Sequence, residues 1–129
     1  MATPGENSVA QCVEQAVAFL AQADREFDAG DRRQGSEKLY GAATQVVIAA
    51  AKQRGWQYRS HRATKNAVIQ IESEYQDPLL IAGFLAAEKF HKNFFHDEME
   101  DYEIVADRPI VRRFVNRLAE LVNDYPTKG

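Results

Sequence analysis

The stretch AEKFHKNFFHDEMEDYE, from Ala87 to Glu103, carries two of the three histidines in the chain. An imidazole that titrates near neutral pH can serve as a general acid or base. At about 100° per residue along a helix, Leu80, Phe84, Ala87, His91 and Phe94 share one sector, so His91 is expected to point with the core or into a cleft leading to it. Buried there, it would be held by a backbone carbonyl or by Tyr40. Glu88, Lys92 and His96 form the adjacent edge, which puts His96 on the rim. His91 and His96 are the candidate acid/base residues.

Glu88 and His91 also make a Glu-x-x-His pair, the spacing used in di-iron carboxylate bundles. Such a centre needs a second pair. Asn93 stands three residues before His96, and Tyr58 three before His61, so only a symmetric dimer could complete it. HDEMEDYE (96–103) has neither the spacing nor the glycine of an EF-hand and reads as a solvated acidic loop. No metal and no cofactor is expected.

A second cluster lies at KQRGWQYRSHRATK (52–65), where Lys52, Arg54, Arg59, Arg62 and Lys65 surround Trp56 and Tyr58, with no acid before Glu72. Cations neutralise phosphates and aromatic rings stack on unpaired bases. Lys52 and Arg54 also suit the C-terminus of a helix. Arg62 and Lys65 fall in the first turns of the next one, where the helix dipole disfavours them, so partner binding accounts for them better. Arg54, Arg59, Arg62 and Lys65 are the candidate phosphate contacts, and Tyr40, Lys92 and Asn93 are expected to line the cleft beside His91.

Five helices must position these groups, and no run of residues alternates as a strand would. The first spans about Ser8 to Ala29, with Val9, Val13, Ala16, Leu20, Ala23 and Phe27 on one stripe and Gly30 as its stop. Asp31 caps the second, with Gln34 in capping-box position, and Gly55 ends it. The third begins after Ser60, with Thr64, Val68, Ile71 and Tyr75 inward. Asp77-Pro78 starts the fourth, and Asp107 with Pro109 the fifth, whose stripe is Ile110, Phe114, Leu118, Leu121 and Tyr125. Short links predict antiparallel neighbours. LYGAATQVVIAAA (39–51) is apolar on nearly every side, which predicts a central helix, a dimer seam, or both.

The 129 residues, 45% hydrophobic and 27% charged, suit one globular domain over 1–129, with 1–7 and 126–129 as flexible tails. A net charge of −3 carries no global pull toward nucleic acid or membrane. A lone Cys12 excludes an intrachain disulfide and points to a reducing cytoplasm. MATPGEN lacks the apolar core of a signal peptide, and VVIAAA (46–51) is too short to span a bilayer. There is no phosphate-binding glycine loop, no zinc-ligand spacing and no nucleophile elbow.

GSEKLYGAATQVVIAAAKQRGW (35–56) followed by AEKFHKNFFHDE (87–98) resembles the HEPN superfamily, and more narrowly the small paREP-type proteins. Their second helix carries a Ser-Glu-Lys-Leu-Tyr-like segment and their fourth Leu-His-x-Asn-Phe-Tyr; here Phe90 replaces the leucine and Phe95 the tyrosine. The resemblance implies an antiparallel bundle of four or five helices, commonly a homodimer, and often a metal-independent RNase of a toxin–antitoxin pair. Those enzymes place an arginine four to six residues before the histidine. The slots before His91 hold Ala86, Leu85 and Phe84, and those before His96 hold His91, Phe90 and Lys89. The expectation is therefore an all-α, HEPN-like cytoplasmic homodimer that binds nucleotide, nucleic acid or a partner protein without catalysis, within a toxin–antitoxin-type system. The alternative is an RNase with a degenerate site at His91 or His96.

Overall fold

A computed structural model describes residues 7–126, and among them there are five helices and no strand. Helix α1 spans Val9–Asp28, α2 Arg32–Arg54, α3 His61–Tyr75, α4 Pro78–His96 and α5 Asp101–Asn123. Local chemistry sets most of these ends. Ser8 Oγ accepts from Gln11 N, and Gln11 returns the bond to Ser8 N. Asp31, Ser60 and Asp77 accept from the exposed amides of Gln34, Ala63 and Leu79. Gly55 closes α2 at φ 75°, a left-handed conformation suited to glycine. Most of the expected tail residues, 1–6 and 127–129, lie outside the described residues.

The fifth helix corrects its expected start. It begins at Asp101, and Pro109 sits inside it. Glu103 Oε1 accepts from Glu100 N at 3.1 Å, so a capping bond well upstream of Asp107 outweighs the proline signal. Proline at that depth removes one main-chain hydrogen bond. The expected acidic loop shortens to residues 97–100, and Met99 within it is buried at 4% exposure.

Helix α2 is the axle of the bundle and packs against all four others. Leu39, Ala42, Ala43, Val46, Val47, Ala49, Ala50 and Ala51 are all buried by the chain's own helices. Its apolar character is thus satisfied within one copy, and no dimer seam is needed to cover it. Two glycines permit close approach: a Cβ on Gly35 would meet the Phe27 ring at 2.8 Å, and one on Gly83 would meet Phe114 Cβ at 2.4 Å.

Helix directions follow from the paired residues. Ser36 meets Asn93 and Glu37 meets His91, so α2 and α4 run oppositely. Gly83 meets Phe114 and Lys89 meets Asp107, so α4 and α5 do as well. The link between α2 and α3 departs from the antiparallel expectation. Tyr40 meets His61 and Arg54 meets Glu74, which requires α3 to run in the same direction as α2. Residues 56–60 therefore return along the side of α2, with Lys52 Nζ 5.3 Å from the Tyr58 ring centre. This return creates the site.

Candidate nucleic-acid interface

The return link brings three helices together around Tyr40. From α2, Glu37 Oε1 lies 3.1 Å from His91 Nδ1 on α4. The Tyr40 ring, one turn on, stacks on the His91 imidazole at 4.1 Å between centroids and 21° between planes. Tyr40 Oη is 3.3 Å from His61 Nδ1 at the start of α3, and His61 Nε2 is 2.8 Å from Glu88 Oε2 on α4. Lys65 Nζ stands 3.9 Å from the same carboxylate. A neutral His61 that donates from Nε2 to Glu88 would accept the Tyr40 hydroxyl proton at Nδ1.

Two histidines thus stand on either side of one tyrosine, each oriented by a glutamate. Both imidazoles reach solvent, with side-chain exposures of 51% for His61 and 38% for His91. Burial pushes the Tyr40 hydroxyl above the ordinary tyrosine range; the Glu88 and Glu37 carboxylates act in the same sense, while the Thr44 hydroxyl opposes them. The phenol therefore remains neutral at physiological pH.

Of the two places expected for His91, the core and a cleft leading to it, the core is ruled out. The buried side of α4 is Leu80, Gly83, Phe84, Ala86, Ala87, Phe90 and Asn93, centred roughly 60° from the sector that apolar residues alone suggest. Small Gly83 and Ala86 face inward because α5 packs closely there. His91 falls at the boundary, where its ring packs between Tyr40 and the edge of Phe95 instead of entering the core. Its carboxylate partner is Glu37 and not a backbone carbonyl. His96 is exposed, as its edge position implied; Lys92 is exposed too, but it lines neither groove at the start of α3.

Asn93 does not line a cleft. It is fully buried, donates from Nδ2 to Ser36 Oγ at 3.0 Å, and accepts from Met99 N at 2.7 Å. Its role is to clamp α4 to α2 and to the link before α5. Arg54 is also withdrawn from the surface. Its side chain is 4% exposed, with the guanidinium 4.3 Å from the Tyr125 ring centre, 5.6 Å from Trp56 and 3.6 Å from Glu74. Tyr75, expected inward, is 40% exposed.

Arg59, Arg62 and Lys65 remain on the surface. Two grooves flank the start of α3; Arg59 borders both and Arg62 one of them, while Lys65 lines neither and stands by Glu88. One, of about 490 Å3, is lined by Tyr40, Thr44, Tyr58, His61 and neighbouring residues. The other, of about 770 Å3, includes Trp56, Arg62, Asn66, Ile69 and Gln70. Arg59 and Ser60 belong to both. Arg59 lies against the Tyr58 ring, with the guanidinium carbon 5.1 Å from its centre.

The sequence brought forward Tyr40, His91 and the cationic strip but not Glu37 or a role for His61, and placed Glu88 only on the helix edge or in a metal pair. Glu37 precedes Tyr40 by three residues, a spacing that puts both on one helical face. His61 carries no such signal, since its neighbours depend on the backward path of residues 56–60. Among the described residues, no group of three or more His, Cys, Asp or Glu side chains is placed to hold a metal ion, and no helix is long and apolar enough to cross a membrane.

No curated protein and no solved structure matches the chain. The model of the archaeal PaREP1/PaREP8 family matches residues 11–115, which takes in the Tyr40 cluster and both grooves. On that match, and in keeping with the Ser36–Tyr40 and His91–Phe95 segments that carry the resemblance, the chain belongs to the archaeal PaREP1/PaREP8 family.

Proposed function

We propose that this protein binds nucleic acid, in a HEPN-type bundle, through the surface formed by the α2–α3 return and the first turns of α3. One observation carries the reading: two aromatic-walled grooves meet at Arg59 and Ser60, with Arg62 on the border of one of them. Cationic side chains attract the backbone, and the half-buried rings in the groove walls offer surface on which bases stack. A net charge of −3 does not oppose this, because five of the sixteen lysines and arginines fall in one stretch that holds no acid from Lys52 to Ile71. Fluorescence anisotropy with a labelled RNA, read across a salt series, tests the proposal. The affinity of the native protein should fall with salt, and the doubly reversed R59E/R62E protein should show a slope shallower by roughly 0.7 for each phosphate it no longer neutralises. Equal affinity and slope for the two proteins would refute it.

A second reading, metal-independent RNA cleavage, draws support from the two carboxylate-held imidazoles beside Tyr40. Residues of this kind can divide acid and base roles between them. His61, and not the rim residue His96, is the second imidazole beside Tyr40. Incubation of RNA with the protein in EDTA separates cleavage from binding alone. Cleavage that survives both His91→Ala and His61→Ala would exclude this site as its source.

A further inference from the structure

The two grooves differ from a flat cationic patch in one respect that bears on the form of the nucleic acid. Each has an aromatic wall, and the ridge between them is Arg59–Ser60, at the very start of α3. On one side stands Trp56, the only tryptophan in the chain, with Asn66, Ile69 and Gln70 along the floor and rim. On the other stand Tyr58 and Tyr40, with Thr44 and His61. We propose that the pair of grooves is a site for single-stranded nucleic acid, in which consecutive nucleotides straddle the ridge, one base entering each groove and the linking phosphate resting over Arg59 with Arg62 at its side.

The inference rests on the nucleic-acid reading above and narrows it. A duplex presents phosphates but keeps the faces of its bases stacked, so it can satisfy the cations and leave both grooves unused. An unpaired strand can splay its bases, and ring-to-base stacking tolerates any base because each has a π face. The polar groups beside the rings add edge contacts. His61 and Ser60 border one groove, Asn66 and Gln70 the other, and each can donate and accept hydrogen bonds. Exposed Ile69 adds an apolar surface on the same face of α3 as Asn66 and Gln70, which suits the flat face of a base better than a hydrated phosphate.

The single Trp56 supplies the readout. Titration of the intact protein with a short single-stranded oligonucleotide should quench its emission as a base stacks against the indole. A duplex of the same sequence and an inorganic polyphosphate of matched charge should bind at low salt without comparable quenching. Removing one base, by an abasic residue within a dinucleotide-length ligand, should weaken binding roughly tenfold relative to the intact dinucleotide. Parallel titrations with ribose and deoxyribose strands identify which source of the shared chemistry binds more tightly, and quenching by either strand supports the site. Equal quenching by duplex and single strand would overturn the inference, and so would salt-sensitive binding of every ligand with no quenching, although the electrostatic reading would then survive. Absence of all binding would sink both. Because the ligand is varied and the protein is not, none of these outcomes depends on whether a substituted chain folds.

Discussion

Asn93 Nδ2 donates to Ser36 Oγ at 3.0 Å inside a core where both residues are at 0% exposure. The serine in turn donates to Arg32 O at 2.6 Å, and Asn93 Oδ1 accepts from Met99 N at 2.7 Å. This short chain of bonds ties α2, α4 and the link to α5 at one point. Replacement of Asn93 by leucine would leave the Met99 amide without its acceptor and Ser36 Oγ without its donor. A buried polar group left unpaired costs about 1–3 kcal/mol, so Asn93→Leu should lower stability by about 2–4 kcal/mol despite its added apolar surface. Chemical denaturation measures this directly. A loss below about 1 kcal/mol would show that the bonds contribute little.

Gly83 and Gly41 make opposite predictions for the same change. A methyl on Gly83 would press against Phe114 Cβ at 2.4 Å, an atom fixed to the α5 backbone. A methyl on Gly41 would meet the Phe19 ring at 3.1 Å, where a half-buried side chain can rotate away. Alanine is also favoured by about 1 kcal/mol over glycine within a helix. Gly41→Ala should therefore be neutral or stabilising, whereas Gly83→Ala should destabilise by about 1–3 kcal/mol through overpacking. Paired thermal melts decide it, and equal midpoints for the two variants would contradict the close α4–α5 approach.

Arg54 lies in the basic strip by sequence and in the interior by structure. Its Nε and Nη2 find no hydrogen-bond acceptor, and Glu74 answers its charge only at 3.6 Å. Buried charge with incomplete pairing stabilises poorly, so an apolar chain of similar length can replace it at small cost. Arg54→Met should shift stability by less than about 1.5 kcal/mol in either direction. It should also leave the salt slope of RNA binding unchanged, in contrast to reversal of Arg59 and Arg62. A slope that drops with Arg54→Met would place this guanidinium at the interface after all.

These residues show where sequence was informative. The caps at Ser8, Asp31, Ser60 and Asp77 are local chemistry, readable from a few neighbouring letters, and four of the five helix starts followed from them. Helix α5 escaped because Glu100 is a less familiar cap than the later Asp107 and Pro109. Burial was legible where large apolar residues mark it, as at Phe114 and Leu118, but not where glycine or asparagine faces the core. That gap moved Asn93 inside and left His91 at the edge. The Tyr40 cluster was half legible: His91 came from helical spacing and Tyr40 as its expected neighbour, while His61 required the path of a link that no periodicity encodes.

Tyr40 ties the cluster to pH. Its ionisation is raised, chiefly by burial and then by the nearby Glu88 and Glu37 carboxylates, against the opposing effect of Thr44. The unfolded chain ionises this group near the ordinary tyrosine value of about 10, whereas the folded chain holds the proton to higher pH. The folded state therefore binds more protons in that window, and stability must fall as pH rises. The contribution is fully present below the unfolded value and is lost as pH climbs through the folded one. At neutral pH, Tyr40→Phe should cost only about 0.5–1 kcal/mol, since the bond to His61 is long at 3.3 Å. Above about pH 10 the variant should lose stability more slowly than the native chain, so the two denaturation curves should converge with rising pH. Differences that stay constant from neutral to alkaline pH would mean that Tyr40 ionises as it does in the unfolded chain, and would remove the phenol from the closely packed position between the two histidines.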